Sequence, residues 1–184
     1  PGVDGMAGSF VGDGDGFALQ LDPATRVKFD WPSGFGVAHE VALDGALAGW
    51  REGEGWRIGT SALRIRGKDF GAHARGALWF QGDGTRPWMD LAAEVDEAPV
   101  TAAKGFWIHH KMSKAAVQWL DSALVGGKVR DGRAIVSGDL DDWPFLHNNG
   151  RFEALARIDN GQFKFQPDWP AMDQVAADIA FIAN

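Results

Sequence analysis

The side chains that could do chemistry are few, and their spacing argues against most of the chemistry they could do. Asp13 and Asp15 in "GDGDGF" (12–17) open like a calcium loop, in which alternating oxygen ligands wrap the cation, but Phe17 stands where the next ligand is needed and no terminal Glu follows. His109, His110 and His147 offer imidazoles for zinc. Adjacent histidines on a strand point to opposite faces, however, and neither His-x-His nor His-Glu-x-x-His spacing occurs. Asp139, Asp141 and Asp142 could place two carboxyls about a glycosidic bond, although aspartates beside Trp-Pro are also what a turn requires. No Gly-x-Ser-x-Gly elbow or phosphate-binding glycine loop is present. The chain therefore reads as a non-enzyme with no catalytic residue, no metal and no cofactor.

Bulk properties narrow the remaining classes. With 25 acidic against 18 basic residues, the net charge of −7 repels a phosphate backbone on average, so nucleic acid is excluded as a general partner. Zero cysteines rule out disulfide frameworks and thiolate metal sites. No run of 18 apolar residues spans a bilayer, and "PGVDGMAGSF" lacks the regions of a signal peptide. The absence of an initiator Met and the abrupt ending "IAFIAN" suggest a segment excised from a longer protein.

The elements that would position any site are mostly strands. Period-two alternation broken by glycine recurs along the chain, as in "GFALQLD", where Phe17, Leu19 and Leu21 share a face. The same style marks "TRVKFDW", "EVALDGALAGW", "GWRIGTSALRIRG", "ARGALWFQG", "PWMDLAAEVD", "GRAIVSGDL", "GRFEALARID", "GQFKFQPD" and "AADIAFIAN". The pairs Asp131-Gly132 and Asn160-Gly161 suit tight hairpins. Asp-Trp-Pro appears three times, at Asp30, Asp142 and Asp168, as a device that ends a strand and redirects the chain. One segment, near 113–125, has helical periodicity: Ser113 caps it, Ala116, Trp119, Leu120, Ala123 and Leu124 form its apolar face, and Gly126 and Gly127 end it. The expected class is mainly β, with many short antiparallel strands and one short amphipathic helix. Residues 1–184 read as a single β-rich segment, with a possible subdivision into 1–98 and 99–184 at "EVDEAPVTAAKG".

Nine tryptophans without a tyrosine leave two uses open: indoles that fill a core and line an apolar surface, or rings that stack on sugars. The run "WLDSALVGGKVRDGRAIVSGDLDDWPFLHNNGRFEALARIDNGQFKFQPDWP" closes with "IAFIAN" and pairs a Trp-Leu-Asp helix, a Gly-Asp-Leu strand end, an Asp-Trp-Pro-Phe corner and a Gly-Arg-Phe strand. This pattern resembles YhdP-type proteins of the AsmA-like, TamB-related group. The first half, from "VDGMAGSF" to "PWMDL", resembles the family less specifically. Family members often carry aromatic-Leu-Pro before the helix, where this chain has Trp107, Ile108 and His109.

The resemblance implies a periplasmic segment of an inner-membrane-anchored envelope protein that conducts phospholipid toward the outer membrane. Its fold would be an elongated, taco-like sheet or open groove sheltering acyl chains. The implied partners are phospholipid acyl chains, neighbouring segments of the same chain, and membranes reached through other regions. On that reading Phe17, Leu19, Leu21, Phe29, Leu63, Ile65, Met89, Leu91, Phe152, Ile158, Phe163, Phe165, Ile179 and Phe181 would line the groove. Lys104, Lys111 and Lys114, around Phe106 and Trp107, would meet head groups. The alternative is a carbohydrate- or protein-binding β-sandwich module with those residues sealed inside.

Overall fold

A computed structural model of the chain describes residues 2–30, 35–107, 109 and 112–183. Trp31 and Pro32 of the first Asp-Trp-Pro, and Ile108, His110 and Lys111 of the basic stretch, lie outside the described residues.

Alternating side chains with glycine at the corners build one antiparallel sheet of twelve strands. These are β1 (Gly2–Asp4), β2 (Gly8–Gly12), β3 (Gly16–Leu21), β4 (Arg26–Asp30), β5 (Ala38–Glu52), β6 (Gly55–Arg66), β7 (Gly71–Phe80), β8 (Trp88–Val95), β9 (Ala98–Pro99), β10 (Leu124–Asp139), β11 (Gly150–Phe163) and β12 (Met172–Ala183). The hydrogen-bonded path runs β1-β4-β5-β6-β7-β8-β10-β11-β12, with β2 and β3 attached through β5 and β9 through β10. The sheet is open and uncurled, so β1 and β12 end as separate edges. All described strands belong to this sheet, which removes the β-sandwich alternative: there is no second sheet to close a core.

Between β9 and β10 the chain forms a 3-10 segment (Val100–Phe106) and then helix α1 (Lys114–Ala123). Ser113 caps α1 as expected, its hydroxyl accepting from Ala116 N at 3.1 Å. The other end differs from expectation. The helix stops at Ala123 and the chain enters β10 at once, with Gly126 and Gly127 inside the strand. The buried residues of α1 are Val117 and Ala123, while Trp119 is 47% exposed. Ala116, Leu120, Ala123 and Leu124 of the expected apolar face are buried or half-buried, and the inward side is displaced toward Val117 and away from Trp119.

The two presumed hairpin signals also act otherwise. Asp131 and Asn160 do take positive φ, 51° each, but inside β10 and β11, where each coincides with a register shift rather than a reversal. Positive φ serves a bulge as readily as a turn. The strands foreseen as "GRFEALARID" and "GQFKFQPD" are consequently one strand, β11, which ends at Phe163.

Little of this molecule is sealed. Among the described residues, buried apolar side chains are confined to Leu21, Val27, Ala98, Val100, Val117, Ala123, Phe145 and Ile158, and the accessible surface is 11506 Å². A compact globule of this mass would expose about 8,700 Å². The described tryptophans are half-buried or exposed, so none fills a core.

Candidate apolar site

Strand register decides which side chains stand together, because directly paired residues share a face. One row across the sheet is Leu43, Ile65, Ala72 and Val95. The next is Gly45, Leu63, Ala74, Ala93, Ala134, Ala154 and Phe181. A third is Gly76, Leu91, Val136 and Phe152, and a fourth Ile58, Leu78, Met89, Gly138 and Gly150. Small residues therefore form a line running across the strands, between flanking rows of larger aliphatic side chains. The alanines and the leucines, valines and methionine beside them are half-buried, packed sideways against one another with no layer over them.

Phe17, Leu19 and Leu21 join this face through Leu47 and Gly49 of β5, and Phe29 joins it opposite His39. Ile179 joins it through Ala156 of β11. Phe163 turns toward the same side as Ile158, both approaching the position a side chain on Gly161 would occupy. The face thus brings together most of the residues singled out from alternation. Leu21 and Ile158 are sealed within it, whereas Phe165 lies past the end of β11, stacked on Phe163 and Trp119 at ring distances of 6.1 and 6.0 Å. The alanine line was missed, since large residues drew the choice. Its signal was present in the "AHARGALWF" and "AAEV" alternation, read in phase with Leu63 and Leu91.

Among the described residues the face is covered only at its two margins. At one, Gly138 and Gly150 are directly paired and leave a hollow that the Phe145 ring fills, at 0% exposure. A Cβ on Gly138 would come within 2.6 Å of that ring. Trp143, from the second Asp-Trp-Pro, packs edge-on against Phe145 and Phe152 at 5.3 and 5.1 Å. The Asp cluster shapes this turn. Asp139 Oδ1 accepts from Asp141 N at 2.9 Å, and Asp141 accepts from Arg86 N at 2.9 Å.

At the other margin the 3-10 segment crosses from β10 to β5. Phe106 stacks on His39 at 4.6 Å, and His39 Nε2 meets Gly105 O at 2.8 Å. Phe70 stands edge-on to Phe106 at 4.8 Å. Lys104 Nζ donates to Asp121 O at 2.7 Å and Trp107 Nε1 to Asp121 Oδ1 at 2.8 Å, fastening this segment to α1. Lys114 is exposed at the helix start.

The opposite face is mixed, carrying ion pairs together with Trp50, Trp79, Trp88, Ile135 and Leu155. Glu52 binds Arg57 and Asp96 binds Arg64, and each arginine's hydrogen bond holds its partner's carboxyl below the usual range. Asp13 accepts backbone N–H groups from Asp15 and Gly16, which lower its pKa in that order. His109 and His147 are exposed on separate connections.

An open antiparallel sheet with an apolar face, covered at its margins and carrying ion pairs and tryptophans on its back, defines a β-sheet protein that presents an extended apolar surface. The YhdP protein family matches residues 1–184, and the chain belongs to that family. It is 26% identical over 184 residues to the intermembrane phospholipid transporter YhdP of Escherichia coli (strain K12), covering 99% of this chain and 14% of that relative. No solved structure matches. No described helix is long and apolar enough to cross a membrane.

Proposed function

We propose that this chain is a periplasmic segment of an inner-membrane-anchored phospholipid transporter, and that it shelters acyl chains along its apolar face without covalent chemistry. The observation that carries the reading is the line of small residues from Ala74 through Ala93 and Ala134 to Ala154, bordered by Leu91, Val136 and Val95. It crosses the strands, so it runs along the sheet. Rows on either side lie roughly 13 Å apart at two residues each way along the strand, wide enough for acyl chains side by side. The exposed surface in excess of a compact globule is what a face awaiting a hydrocarbon occupant would add. Residues 1–98 and 99–184 then act as one unit, because β8 and β10 pair directly across the division.

On this reading the groove comprises the aligned residues from Phe17 to Phe181, Lys104 and Lys114 meet head groups at the α1 margin, and Lys111, outside the described residues, is assigned the same role. Lys104 does so with the N–H groups left after its bond to Asp121. Family membership and the similarity to a named phospholipid transporter support the assignment of cargo. The test uses residues that face opposite ways. A photo-crosslinking amino acid at Leu91 of the full-length protein in cells should capture phospholipid, and one at Asp44, exposed on the opposite face, should not. Equal capture at both positions, or none at Leu91, would refute the apolar-face reading.

A further inference from the structure

The face opposite the apolar one holds a second feature that lipid sheltering does not use. A cavity of ≈ 600 Å³ opens over Ala92, lined among others by His73, Arg75, Glu94, Arg133, Ile135 and Leu155. Its size is that of an ordinary small-ligand site. Arg75 of β7 is paired with Ala92 of β8, which is paired with Ile135 of β10. Arg133 is paired with Glu94 on one side and Leu155 on the other.

These two arginines differ from their neighbours on the same face. Arg57 is bound to Glu52 at 2.5 Å, Arg151 to Glu153 at 2.5 Å and Arg157 to Asp178 at 3.1 Å, and Arg64 is bound to Asp96. Among the described residues, no carboxylate lies within ion-pair distance of Arg75 or Arg133. Glu153, which also lines the cavity, is occupied by Arg151. That leaves two uncommitted guanidinium groups against the single carboxylate of Glu94, a local positive excess in a chain of net charge −7. Two strand spacings and two residues along the strand put their Cα atoms roughly 12 Å apart, a gap that two long side chains can close from both sides. A guanidinium is suited to grip carboxylate or phosphate oxygens in a paired geometry.

We propose that this depression is a binding site for a small organic oxyanion with an aliphatic body. Arg75 and Arg133 hold its carboxylate or phosphate, and Ile135, Leu155 and the Ala92 floor take the body. The site stands on the face opposite the alanine line, so its fate is independent of the crosslinking outcome at Leu91.

The experiment is peptide-mapped phenylglyoxal labelling of arginines in the full-length protein, with butyl phosphate, butyrate or inorganic phosphate as the probe. Arg66, exposed on the same face, outside the cavity and without an ion pair, is the internal control. A near-saturating concentration of butyl phosphate or butyrate should lower labelling of Arg75 and Arg133 at least about threefold, as site occupancy requires, and leave Arg66 unchanged. An Arg133→Gln variant should lose the protection at Arg75, and its circular dichroism should match the parent, keeping a folding defect distinguishable. Whichever of the two organic probes protects more identifies the oxyanion. Equal labelling with and without them, or protection that extends to Arg66, would overturn the site. Equal protection by inorganic phosphate would overturn the aliphatic body and leave an adventitious ion only.

Discussion

The two margins of the apolar face are covered in different ways, and the difference separates fixed parts from parts that can move. Phe145 is wholly enclosed, dropped into the space left by paired Gly138 and Gly150 and flanked by Trp143 and Phe152. The α1 margin buries Val117 and Ala123 but leaves Trp119 and Lys114 in solvent, and much of its attachment runs through polar bonds to Asp121 and stacking on His39. Polar bonds exchange with water at small net gain, whereas a filled hollow is lost only by leaving a void. The Phe145 margin is therefore the anchor and the α1 margin the adjustable cover.

Substitutions graded along this contrast can break it. Phe145→Ala should cost about 3–5 kcal/mol, read as a fall in the urea midpoint, and a loss no larger than that of the α1 variants would erase the distinction. Val117→Ala should cost about 2 kcal/mol from the methyl groups it removes. Ser113→Ala should cost about 1 kcal/mol, with faster amide exchange in 114–123 than in β10 if the cover opens by itself. Exchange accelerating equally in β10 would show that helix and sheet open together. Arg157→Ala, which breaks an exposed pair with Asp178, should change stability by less than about 0.5 kcal/mol. The pH response should be slight as well. Glu52 and Asp96 have depressed folded pKa values, so their contribution is present above the ordinary carboxylate pKa and fades as pH falls through the lowered one.

Alternation carried the sheet and most of its apolar face, because a period of two assigns every side chain to a face once the strand is recognised. Phe17, Leu19 and Leu21 announced their side without any knowledge of their neighbours. The anchor was not legible. Phe145 follows Trp-Pro in a polar turn, and only the pairing of two glycines distant in sequence creates the hollow it fills. The alanine line was hidden for a related reason, since alanine is neutral in any face-by-face reading until strand register sets Ala74, Ala93, Ala134 and Ala154 in a row. The helix was legible in part: its spacing gives Ala116, Leu120 and Ala123 the inward side, while packing decides that Val117 rather than Trp119, at the two borders of one apolar arc, completes it. The turn-like pairs at Asp131 and Asn160 misled because their backbone preference was right and its use was different.

The Asp131 bulge also sets where the gene can tolerate a length change. Val129 and Ala134 reach the same face although they are an odd number of steps apart along the strand, because three steps of β10 oppose two of β11 there. Deleting Asp131 would leave Val129, Gly132 and Ala134 in plain alternation against Ile158, Ala156 and Ala154, with the adjustment falling on the short Asp96-Glu97 connection. A one-codon loss within β8 has no such reserve, and would turn part of that strand's leucine, alanine and valine side chains onto the arginine side. The chain thus carries a spare residue in β10, and an in-frame deletion there should be accepted where a deletion in β8 is not.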